Sequence, residues 1–544
     1  MTSNEKRIVI LGGGFGGVYT ARHLGRMLKP GEASVTLINR ENYSVYQPML
    51  PEVISGSIGL TDVVSPIRQI SPRTELITRE VESIDLKNKI VTVSPGFRPR
   101  SMEIPYDYLV IALGGVTDYS GKPGLLEHAK PFRTLADALS LRSHLIHVLE
   151  EAESETDPQF RKKLLTFVVA GGGFSGVEVI AELNDFVHHV KGNYPRLRSE
   201  KVRCVLVHAG NRILPEITPH LAVFAHKLLA KRGIEIRLLD LLVTATSERA
   251  ILKSAVEIPT KTIISTVPSA ISPVLRQLDC AKDKHRLQVN RKLELVGYEG
   301  QVWALGDCAS IVTKSGSPVP PTAQHATRES TTVAGNIAAC LRGEESSEFD
   351  FEGLGKLGSL GRYSAVADIL GVRVSGFPAW FLWRTIYLMK MPSLYRKVRI
   401  GLDWMIALFF RPDLVEVRDI HGSSFARQHF EPGDLVFLQG ELGDCVYVIE
   451  KGECEVFREQ DGKVEHLAVL HADDYFGEMA VLTDSTRNAT VLVRTPMDVL
   501  LIPKSEFQLL KSSVPAFGEF FSKLARDRTP PLSKGSSVLH GERR

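Results

Sequence analysis

The sequence predicts an α/β chain with two Rossmann-type dinucleotide-binding domains, an amphipathic helical region and a C-terminal β-roll. Three observations lead to this prediction. A glycine-rich fingerprint occurs twice, each time between an apolar strand-like run and a helix-like run. Residues 377–411 hold three of the four tryptophans. After about Asp419 the chain changes to short β-prone runs separated by glycines, which is typical of an antiparallel roll.

Composition and charge exclude several classes of protein. The chain has 544 residues, 43% hydrophobic and 24% charged, so it is expected to fold into several domains and not to be mostly disordered. Its net charge of +3 gives no argument for nucleic-acid binding, and no nucleic-acid partner is expected. The six cysteines form no C-x-x-C pair, so no disulfide framework or metal site is predicted. The N-terminus lacks a signal-like apolar segment, and no apolar run reaches the length of a membrane span.

The two fingerprints predict two dinucleotide sites. In a strand–turn–helix unit the first glycine makes the tight turn, the second lets the pyrophosphate approach, and the third lets the helix pack on the sheet. The helix N-terminus then offers free N–H groups to the phosphates. The alternative is a pair of glycine turns with a structural role only. The predicted binding residues are Gly12, Gly14, Phe15, Gly16 and Gly17 in the first site and Gly171, Gly173, Phe174, Ser175 and Gly176 in the second.

A third segment indicates which dinucleotide occupies the first site. A strand-like run from Glu299 ends in Gly306-Asp307. Asp307 could accept hydrogen bonds from the hydroxyls of a ribityl chain, which FAD has and NAD lacks. Residues 108–115 look like the strand along which the chain passes from one domain to the other. We therefore expect FAD in the first site and NADH in the second, with the FAD domain split around the NAD domain.

Residues 6–416 resemble the type II NADH:quinone oxidoreductases, which are single-chain NADH dehydrogenases that pump no protons. The resemblance rests on both fingerprints and on five further segments, namely 42–50, 176–182, 320–328, 361–367 and 379–384. It implies FAD, NADH as donor and quinone as acceptor. It also implies that Glu178 lies beside the nicotinamide and flavin, and that Ala323 and Gln324 open a helix against the flavin ring. Glu178 and Gln324 are the catalytic residues expected from this resemblance.

Several positions depart from the family pattern. Asn39 stands where an acidic residue usually binds the adenosine ribose of FAD; asparagine can still accept a hydrogen bond, so Asn39 and Arg40 remain predicted ligands. His208 replaces the acid that would bind the ribose of NADH and repel the 2′-phosphate of NADPH. NADPH is therefore an alternative donor, with Arg212 nearby. Arg328 occupies the place of the second glutamine in the quinone motif.

A helix from Leu394 to Phe409 is predicted to lie on a membrane surface. Apolar side chains recur at helical spacing on one face, and Arg396, Arg399 and Asp403 occupy the other. We expect peripheral attachment to the cytoplasmic face of a membrane, which would bring the enzyme to its quinone. A dimer interface or internal packing is the alternative use of this face, and a homodimer is expected. The apolar positions are Leu394, Val398, Leu402, Met405 and Phe409.

The C-terminal residues resemble the cyclic nucleotide-binding domain, with residues 476–491 similar to its phosphate-binding cassette. The resemblance implies that Glu478 binds the ribose 2′-hydroxyl and that Arg487 pairs with the cyclic phosphate. Gly477 and Asn488 complete the predicted site, although Asn488 departs from the residues usual there. A docking module that binds no ligand is the alternative. Residues 505–527 are predicted to form closing helices.

The sequence thus predicts a peripheral membrane FAD-dependent oxidoreductase that passes two electrons from NADH to quinone and is modulated by a cyclic nucleotide. The alternatives are a soluble diaphorase-like NAD(P)H oxidoreductase and a redox-sensing flavoprotein with a docking module. The predicted regions are an FAD-binding part at 6–118, an NAD(P)H-binding domain at 119–284, a second FAD-binding part with the quinone-site helix at 285–345, a membrane-association region at 346–418, a cyclic nucleotide-binding domain at 419–527 and a flexible tail at 528–544.

Overall fold

The chain divides into two compact units. The computed structural model describes residues 5–98, 100–117, 119, 121–266, 269–410, 413–416, 426–460, 463–483 and 485–513. Unit 1 comprises Met1–Ser120, Lys130–Leu242 and Thr260–Val417; unit 2 comprises Gly121–Ala129, Val243–Pro259 and Arg418–Arg544. Residues 121–129 and 243–259, predicted within the NAD(P)H domain, therefore group with the C-terminal residues.

Most of the helices lie in unit 1. The longest of those before the second glycine turn, α5, begins with a capping box in which the Thr134 hydroxyl accepts from the Asp137 N–H and the Asp137 carboxylate accepts from the Thr134 N–H. The α-helices of the described residues are α1 Phe15–Met27, α2 Pro51–Ser55, α3 Ile67–Ile70, α4 Leu125–His128, α5 Leu135–Ser154, α6 Pro158–Leu164, α7 Phe174–Val190, α8 Pro219–Lys231, α9 Pro273–Arg276, α10 Ala323–Arg342, α11 Phe377–Lys390, α12 Leu394–Phe409, α13 Glu478–Thr483 and α14 Lys504–Ser513.

Two five-stranded sheets form the frame of unit 1, and their central strands pair in parallel. The central strands Lys6–Leu11 and Thr166–Ala170 are largely buried, as is usual for the inner strands of parallel sheets. The first sheet has the order Val302–Ala304, Tyr108–Ile111, Lys6–Leu11, Ala33–Asn39 and Glu75–Thr78. The second has the order Ala129–Pro131, Thr262–Ser265, Thr166–Ala170, Arg203–His208 and Ile234–Leu238.

The chain leaves the first sheet after Ile111 and returns to it at Val302. All strands of the second sheet lie between these two points in the sequence. The first Rossmann unit is therefore split around the second, as the sequence predicts. Helix α10 follows the return and packs against α1, so the two helices lie side by side.

The remaining strands of unit 1 form small sheets around this frame. Three antiparallel strands, Gly355–Ser359, Ala365–Ile369 and Val372–Gly376, lie just before α11. The others are Val81–Asp85, Ile90–Val93 and Met102–Pro105; Tyr43–Val45 with Val64–Pro66; Gly115–Thr117 with Ser269–Ile271; and Lys282–Asp283, Arg286–Gln288 and Ala309–Ser310.

Helix α12 forms where the periodicity predicts it, with its apolar side chains outward. Leu394 is 76% exposed and Phe409 is 83% exposed. The polar face turns inward, where Arg396 binds the fully buried Asp62 at 2.7 Å and the Gly59 N–H donates to Asp403 at 3.1 Å. This is the reverse of the pattern of a soluble surface helix. None of the helices in the described residues is long and apolar enough to cross a membrane.

Unit 2 contains two four-stranded antiparallel sheets of a β-roll, closed on a small aromatic core. Of the predicted closing helices only α14 lies in the described residues, and the predicted tail at 528–544 lies outside them. The first sheet has the order Ala426–Phe430, Met497–Pro503, Cys445–Lys451 and Tyr475–Phe476; the second has Leu435–Phe437, Thr490–Val493, Cys454–Gln460 and Lys463–Leu470. A further three-stranded sheet contains Leu242–Ala245, Arg249–Leu252 and Glu257–Pro259.

Two glycines of α1 provide a test of the first fingerprint. A Cβ at Gly17 would lie 2.0 Å from the carbonyl oxygen of Gly12, whereas a Cβ at Gly25 would meet only an ordinary contact at 3.4 Å. We expect Gly17→Ala to lower the free energy of unfolding of unit 1 by roughly 1–3 kcal/mol through overpacking. Gly25→Ala should be neutral or stabilising by up to about 1 kcal/mol. Thermal unfolding of both variants checks this, and equal effects would contradict it.

Candidate functional site

Both glycine turns have the geometry of phosphate cradles. Gly12 and Gly171 adopt left-handed φ values of +105° and +120°, which favour glycine. A Cβ at Gly14 would meet no atom within 4 Å, so the space above this turn is open. Neither α1 nor α7 has a side-chain N-cap or an acidic residue in its first turn. Each helix therefore presents free N–H groups and positive charge to a bound phosphate.

The side chain at the end of each second strand binds the adjacent glycine turn. Asn39 Oδ1 accepts from the Gly13 N–H at 2.8 Å, and Asn39 Nδ2 donates to the Glu41 carbonyl at 2.7 Å. In the second unit His208 Nδ1 accepts from the Gly172 N–H at 3.1 Å. Burial lowers the pKa of His208, and an accepting Nδ1 leaves the ring neutral with its proton on Nε2. The predicted ribose ligands thus also support the phosphate turns.

Asp307 lies at the carboxyl end of the first sheet, in a 3-10 turn that spans Gly306–Cys308. Its carboxylate pairs with Arg133 at 3.1 Å. The Gly306 N–H donates to Glu329 at 2.7 Å, and burial raises the pKa of Glu329 to about 7. Sequence reasoning missed Arg133 and Glu329. Arg40, predicted beside Asn39, is largely exposed and pairs with its neighbour Glu41 at 3.3 Å.

Helix α10 begins at Ala323, immediately after Pro320-Pro321 and Thr322, as predicted. Its first turn has no acidic residue and no side-chain cap, so its N–H groups are free for a ligand. Gln324 donates from Nε2 to the Gly355 carbonyl at 3.0 Å and accepts from the Leu354 N–H at 3.2 Å. Both ends of its amide therefore hold the strand that starts at Gly355.

Glu178 is 9% exposed on α7, one turn beyond the second glycine turn. Its Oε1 accepts from the Ser359 N–H at 2.9 Å. Burial is the main cause that raises the pKa of Glu178 to about 8, and the negative charge of Glu52 adds to it. The side chain of Trp383 acts in the opposite direction and lowers this pKa slightly. The carboxyl is thus held in its neutral form at neutral pH, where it can donate a proton.

Sequence reasoning missed a group of buried charged side chains near Glu178. Glu52 is 2% exposed on α2 and accepts from Trp404 Nε1 at 2.7 Å and from Arg384 at 3.3 Å. The Arg384 guanidinium lies between the rings of Trp380 and Trp404, 4.1 and 4.4 Å from their centroids. A buried carboxylate with this cation–π-bound partner is compensated. Glu182, on α7, is 5% exposed.

The sequence does carry one signal for this group. Helix α7 is mostly buried and rich in apolar residues, yet Glu178, Glu182 and Asp185 follow one another at intervals of four and three residues. Acids at that spacing share one face of a helix. Glu52 carries no such signal, because a single acid after a proline looks like an ordinary helix start.

Aromatic rings separate this group from the first glycine turn. Phe15, which starts α1, packs edge-on against Tyr46 at 5.6 Å, and Tyr46 packs in the same way against Tyr387 at 6.3 Å. Phe174, which starts α7, packs against Gly358, where a Cβ would lie 2.6 Å from its ring. Unit 1 contains the predicted residues of both glycine turns. It also contains α10, Glu178 and Asp307.

In unit 2 the residues predicted to bind a cyclic nucleotide surround Arg487. Its side chain is 1% exposed, and it donates to the Gly477 carbonyl at 2.7 Å and pairs with Asp444 at 3.3 Å. The guanidinium lies 4.2 Å from the centroid of the Phe437 ring. Glu478 is buried at the start of α13, and Asn488 is exposed.

Unit 2 also contains contacts between its three chain segments. His128 Nε2 accepts from the backbone N–H of His429 at 2.9 Å. Arg249 pairs with the buried Asp434 at 2.7 Å. The strands of the β-roll are therefore tied to residues 121–129 by a hydrogen bond from a backbone N–H to a histidine ring, and to residues 243–259 by a largely desolvated ion pair.

Three family matches cover most of the chain. Residues 6–330 match the pyridine nucleotide-disulphide oxidoreductase family. Residues 354–413 match the NDH2 C-terminal domain, and residues 427–513 match the cyclic nucleotide-binding domain. The last match begins and ends inside the predicted C-terminal domain.

Two relatives of this chain are named for the reduction of quinones, and a solved structure shares its fold. The type II NADH:quinone oxidoreductase Ndh of Mycobacterium tuberculosis is 30% identical over 443 residues, covering 78% of this chain and 92% of that protein. The demethylphylloquinone reductase NdbB of Synechocystis is 30% identical, covering 74% and 97%. NDH2 from Plasmodium falciparum in complex with NADH shares the fold, with a TM-score of 0.69 at 20% identity, covering 76% of this chain and 100% of that one. The chain belongs to the pyridine nucleotide-disulphide oxidoreductase family and, within it, to the type II NADH:quinone oxidoreductases.

Proposed function

We propose that this chain oxidises NADH and passes two electrons through bound FAD to a membrane quinone, without moving protons across the membrane. One observation carries the proposal. Unit 1 combines two phosphate cradles with a buried, neutral Glu178 and with the uncapped start of α10. The family resemblance of residues 6–330 and 354–413 supports the same activity.

The first cradle fits FAD. Gly12 and Gly17 lack the Cβ atoms that would close the turn, and Gly14 has open space above it. Asn39 would face the adenosine ribose, and Asp307 would accept from the ribityl hydroxyls with Arg133 holding its carboxylate in place. The free N–H groups of α10, at Ala323 and Gln324, would bind the flavin ring. Bound FAD supplies the redox chemistry, by taking a hydride from the nicotinamide and giving two electrons to the acceptor.

The second cradle would hold NADH between Gly171 and Gly176. A neutral His208 replaces the carboxylate that usually binds the ribose hydroxyls. A neutral ring does not repel the 2′-phosphate of NADPH, so this chain should discriminate between the two donors less than a chain with an acid there. NADPH is therefore proposed as an alternative donor.

Glu178 is proposed as the acid of the quinone site. A carboxyl with a pKa of about 8 is mostly protonated at neutral pH and can donate to the reduced acceptor. Gln324 is bound to the backbone of residues 354–355, so we propose that it positions this strand at the acceptor face. The Ser359 N–H that holds Glu178 belongs to the same strand.

We propose peripheral attachment to the cytoplasmic face of the membrane through α11 and α12. Each exposed apolar side chain contributes roughly 1.5–3 kcal/mol when it enters the lipid. Exposed apolar side chains grouped on two consecutive helices mark an interaction surface. A homodimer would present two such faces to one membrane. The exposed apolar residues are Phe377, Phe381, Met389, Leu394, Tyr395, Val398, Leu402, Met405, Ile406, Phe409 and Phe410.

We also propose that a cyclic nucleotide binds unit 2 and modulates turnover. The match of residues 427–513 to the cyclic nucleotide-binding domain supports binding, with Arg487 for the phosphate and Glu478 for the ribose. The contacts of residues 121–129 and 243–259 with the β-roll favour modulation. These two segments continue directly into strands of the second parallel sheet. A docking module that binds no nucleotide is the second candidate.

Replacement of Glu178 by glutamine tests the proposed reaction. We expect Glu178→Gln to lower the turnover of NADH with a ubiquinone or menaquinone analogue by roughly 10²-fold, because the acid is lost. In the wild type turnover should fall as pH rises through about 8, where Glu178 loses its proton. A variant that keeps wild-type turnover and the same pH limb would contradict the role of Glu178.

The same variant has an expected effect on stability. The folded state binds a proton at Glu178 between its ordinary pKa of 4.5 and about 8, whereas the unfolded state does not. The free energy of unfolding of the wild type should therefore fall as pH rises through that window and level off above it. Glu178→Gln should show less of this fall in denaturant titrations at pH 6 and pH 9.

Two matched leucines test membrane attachment. Leu394 on α12 is 76% exposed, and Leu239, which follows the strand Ile234–Leu238, is 75% exposed. We expect Leu394→Asp to weaken binding to anionic lipid vesicles in a flotation assay, because a carboxylate would then have to enter the lipid. Leu239→Asp should bind as the wild type does. Equal binding of both variants would indicate that α12 does not face the lipid.

Arginine-to-lysine substitutions test the nucleotide site. Lysine lacks the fork geometry of the guanidinium, so Arg487→Lys should weaken the binding of cAMP or cGMP to the full chain by about 10–100-fold. Arg494→Lys is the control, since Arg494 pairs with Glu455 at the surface of the same β-roll. Calorimetric titration measures both variants. A wild-type chain that binds neither nucleotide would favour the docking module.

A further inference from the structure

A cavity in unit 1 reaches from the protein surface to the buried carboxyl group of Glu182. Its volume is about 320 Å³, and Glu182, Arg384 and Trp404 lie in its wall. Arg362 and Asp413, also in the wall, are charged and exposed, so this side of the cavity meets the surface. A buried water needs only about 10–15 Å³ by this measure. The cavity therefore has room for a chain of several waters.

Glu182 connects this cavity with Glu178. The two residues are four apart on α7, which places their side chains on one face about 5–6 Å apart at Cβ. Glu52, on the neighbouring α2, acts electrostatically on both carboxyl groups. Helix α7 thus carries one carboxyl group in the cavity wall, Glu182, and one bound to the strand Gly355–Ser359, Glu178.

The charges around Glu182 favour a carboxyl that carries a proton. Burial is the largest cause that raises its pKa well above the ordinary value, and Glu52 and Asp185 raise it further. The Ser55 hydroxyl and the Arg384 guanidinium act in the opposite direction. Arg384 pairs with Glu52 and packs against two tryptophan rings, so its positive charge mainly stabilises Glu52 and not Glu182.

The overall reaction needs a route of this kind. NADH gives a hydride, which is two electrons and one proton, whereas a quinone that becomes a quinol gains two electrons and two protons. One proton per turnover must therefore come from water. Glu178 is 9% exposed and cannot take it directly from bulk solvent.

We propose that the cavity and Glu182 form the route by which this proton passes from water to Glu178. Glu182 gives its proton to Glu178 after Glu178 has donated to the acceptor, and takes a new one from water in the cavity. Glu182 is a relay residue and touches neither dinucleotide. The inference rests on the proposed quinone reduction.

Glu182→Gln tests the route by comparing two acceptors. Quinone reduction consumes a proton, whereas ferricyanide takes electrons only. We expect the variant to reduce quinone about 10²-fold more slowly, with a larger solvent isotope effect, and to reduce ferricyanide at the wild-type rate. Glu182→Asp, which keeps a carboxyl, should restore part of the quinone rate. Glu294→Gln, the same change at a buried carboxyl group outside the cavity wall, should leave both rates unchanged.

A measurement without turnover complements the kinetics. The infrared C=O stretch of a buried protonated carboxyl should be present in the wild type at neutral pH and reduced in Glu182→Gln. An unchanged band, an unchanged quinone rate, or an equal loss with both acceptors would overturn the route. A wild-type protein that reduces ferricyanide but no quinone would instead overturn the proposed function.

Discussion

The absence of a β-carbon at two glycines is the constraint on which unit 1 depends. A Cβ at Gly17 would lie 2.0 Å from the Gly12 carbonyl, and one at Gly176 would lie 1.8 Å from the Gly171 carbonyl. Only glycine lets α1 and α7 approach their strands so closely. This approach points the free N–H groups of each helix at the place where a pyrophosphate binds. It also fixes the direction of α7, and with it the face that carries Glu178 and Glu182.

The buried carboxylates of Glu52 and Asp62 explain the orientation of α11 and α12, the last two helices of unit 1. Glu52 and Asp62 are buried, and an isolated carboxylate there would be costly. Arg384 from α11 and Arg396 from α12 supply the compensating charges, with N–O distances of 3.3 and 2.7 Å. Because α12 uses its polar face for these pairs, its apolar face is left outward. Acid compensation inside the protein and an exposed apolar surface outside it are thus two consequences of the same helix orientation.

Features that repeat at a fixed spacing were accessible from the sequence, and single contacts between distant segments were not. The paired fingerprints predicted both parallel sheets, and segments 108–115 and 299–309 predicted the split of the first domain. The start of α10 at Ala323 was predicted from Pro320-Pro321 and the family resemblance. The periodicity from Leu394 to Phe409 predicted α12 and its outward face. By contrast, the pair Arg133–Asp307 and the group around Glu52 join residues far apart in the chain. Nothing local marks Arg133, Glu52 or Arg384 as members of these groups; only the spacing of Glu178, Glu182 and Asp185 on α7 gives a signal. Residues 121–129 and 243–259 were assigned by continuity of the chain, which does not reveal the β-roll they contact.

Residues 121–129 and 243–259 determine what the regulation of turnover by a cyclic nucleotide would require. Each segment contacts the β-roll within unit 2, and the chain then continues into a strand of the second parallel sheet. Contact alone transmits nothing: a nucleotide changes turnover only if it binds two arrangements of these segments with different affinity. The desolvated pair Arg249–Asp434 is suited to such a difference, because separating its partners leaves a buried charge uncompensated. Where the nucleotide changes the affinity for NADH, linkage makes that change reciprocal, so NADH bound by the second cradle would change the affinity of unit 2 for its nucleotide by the same factor.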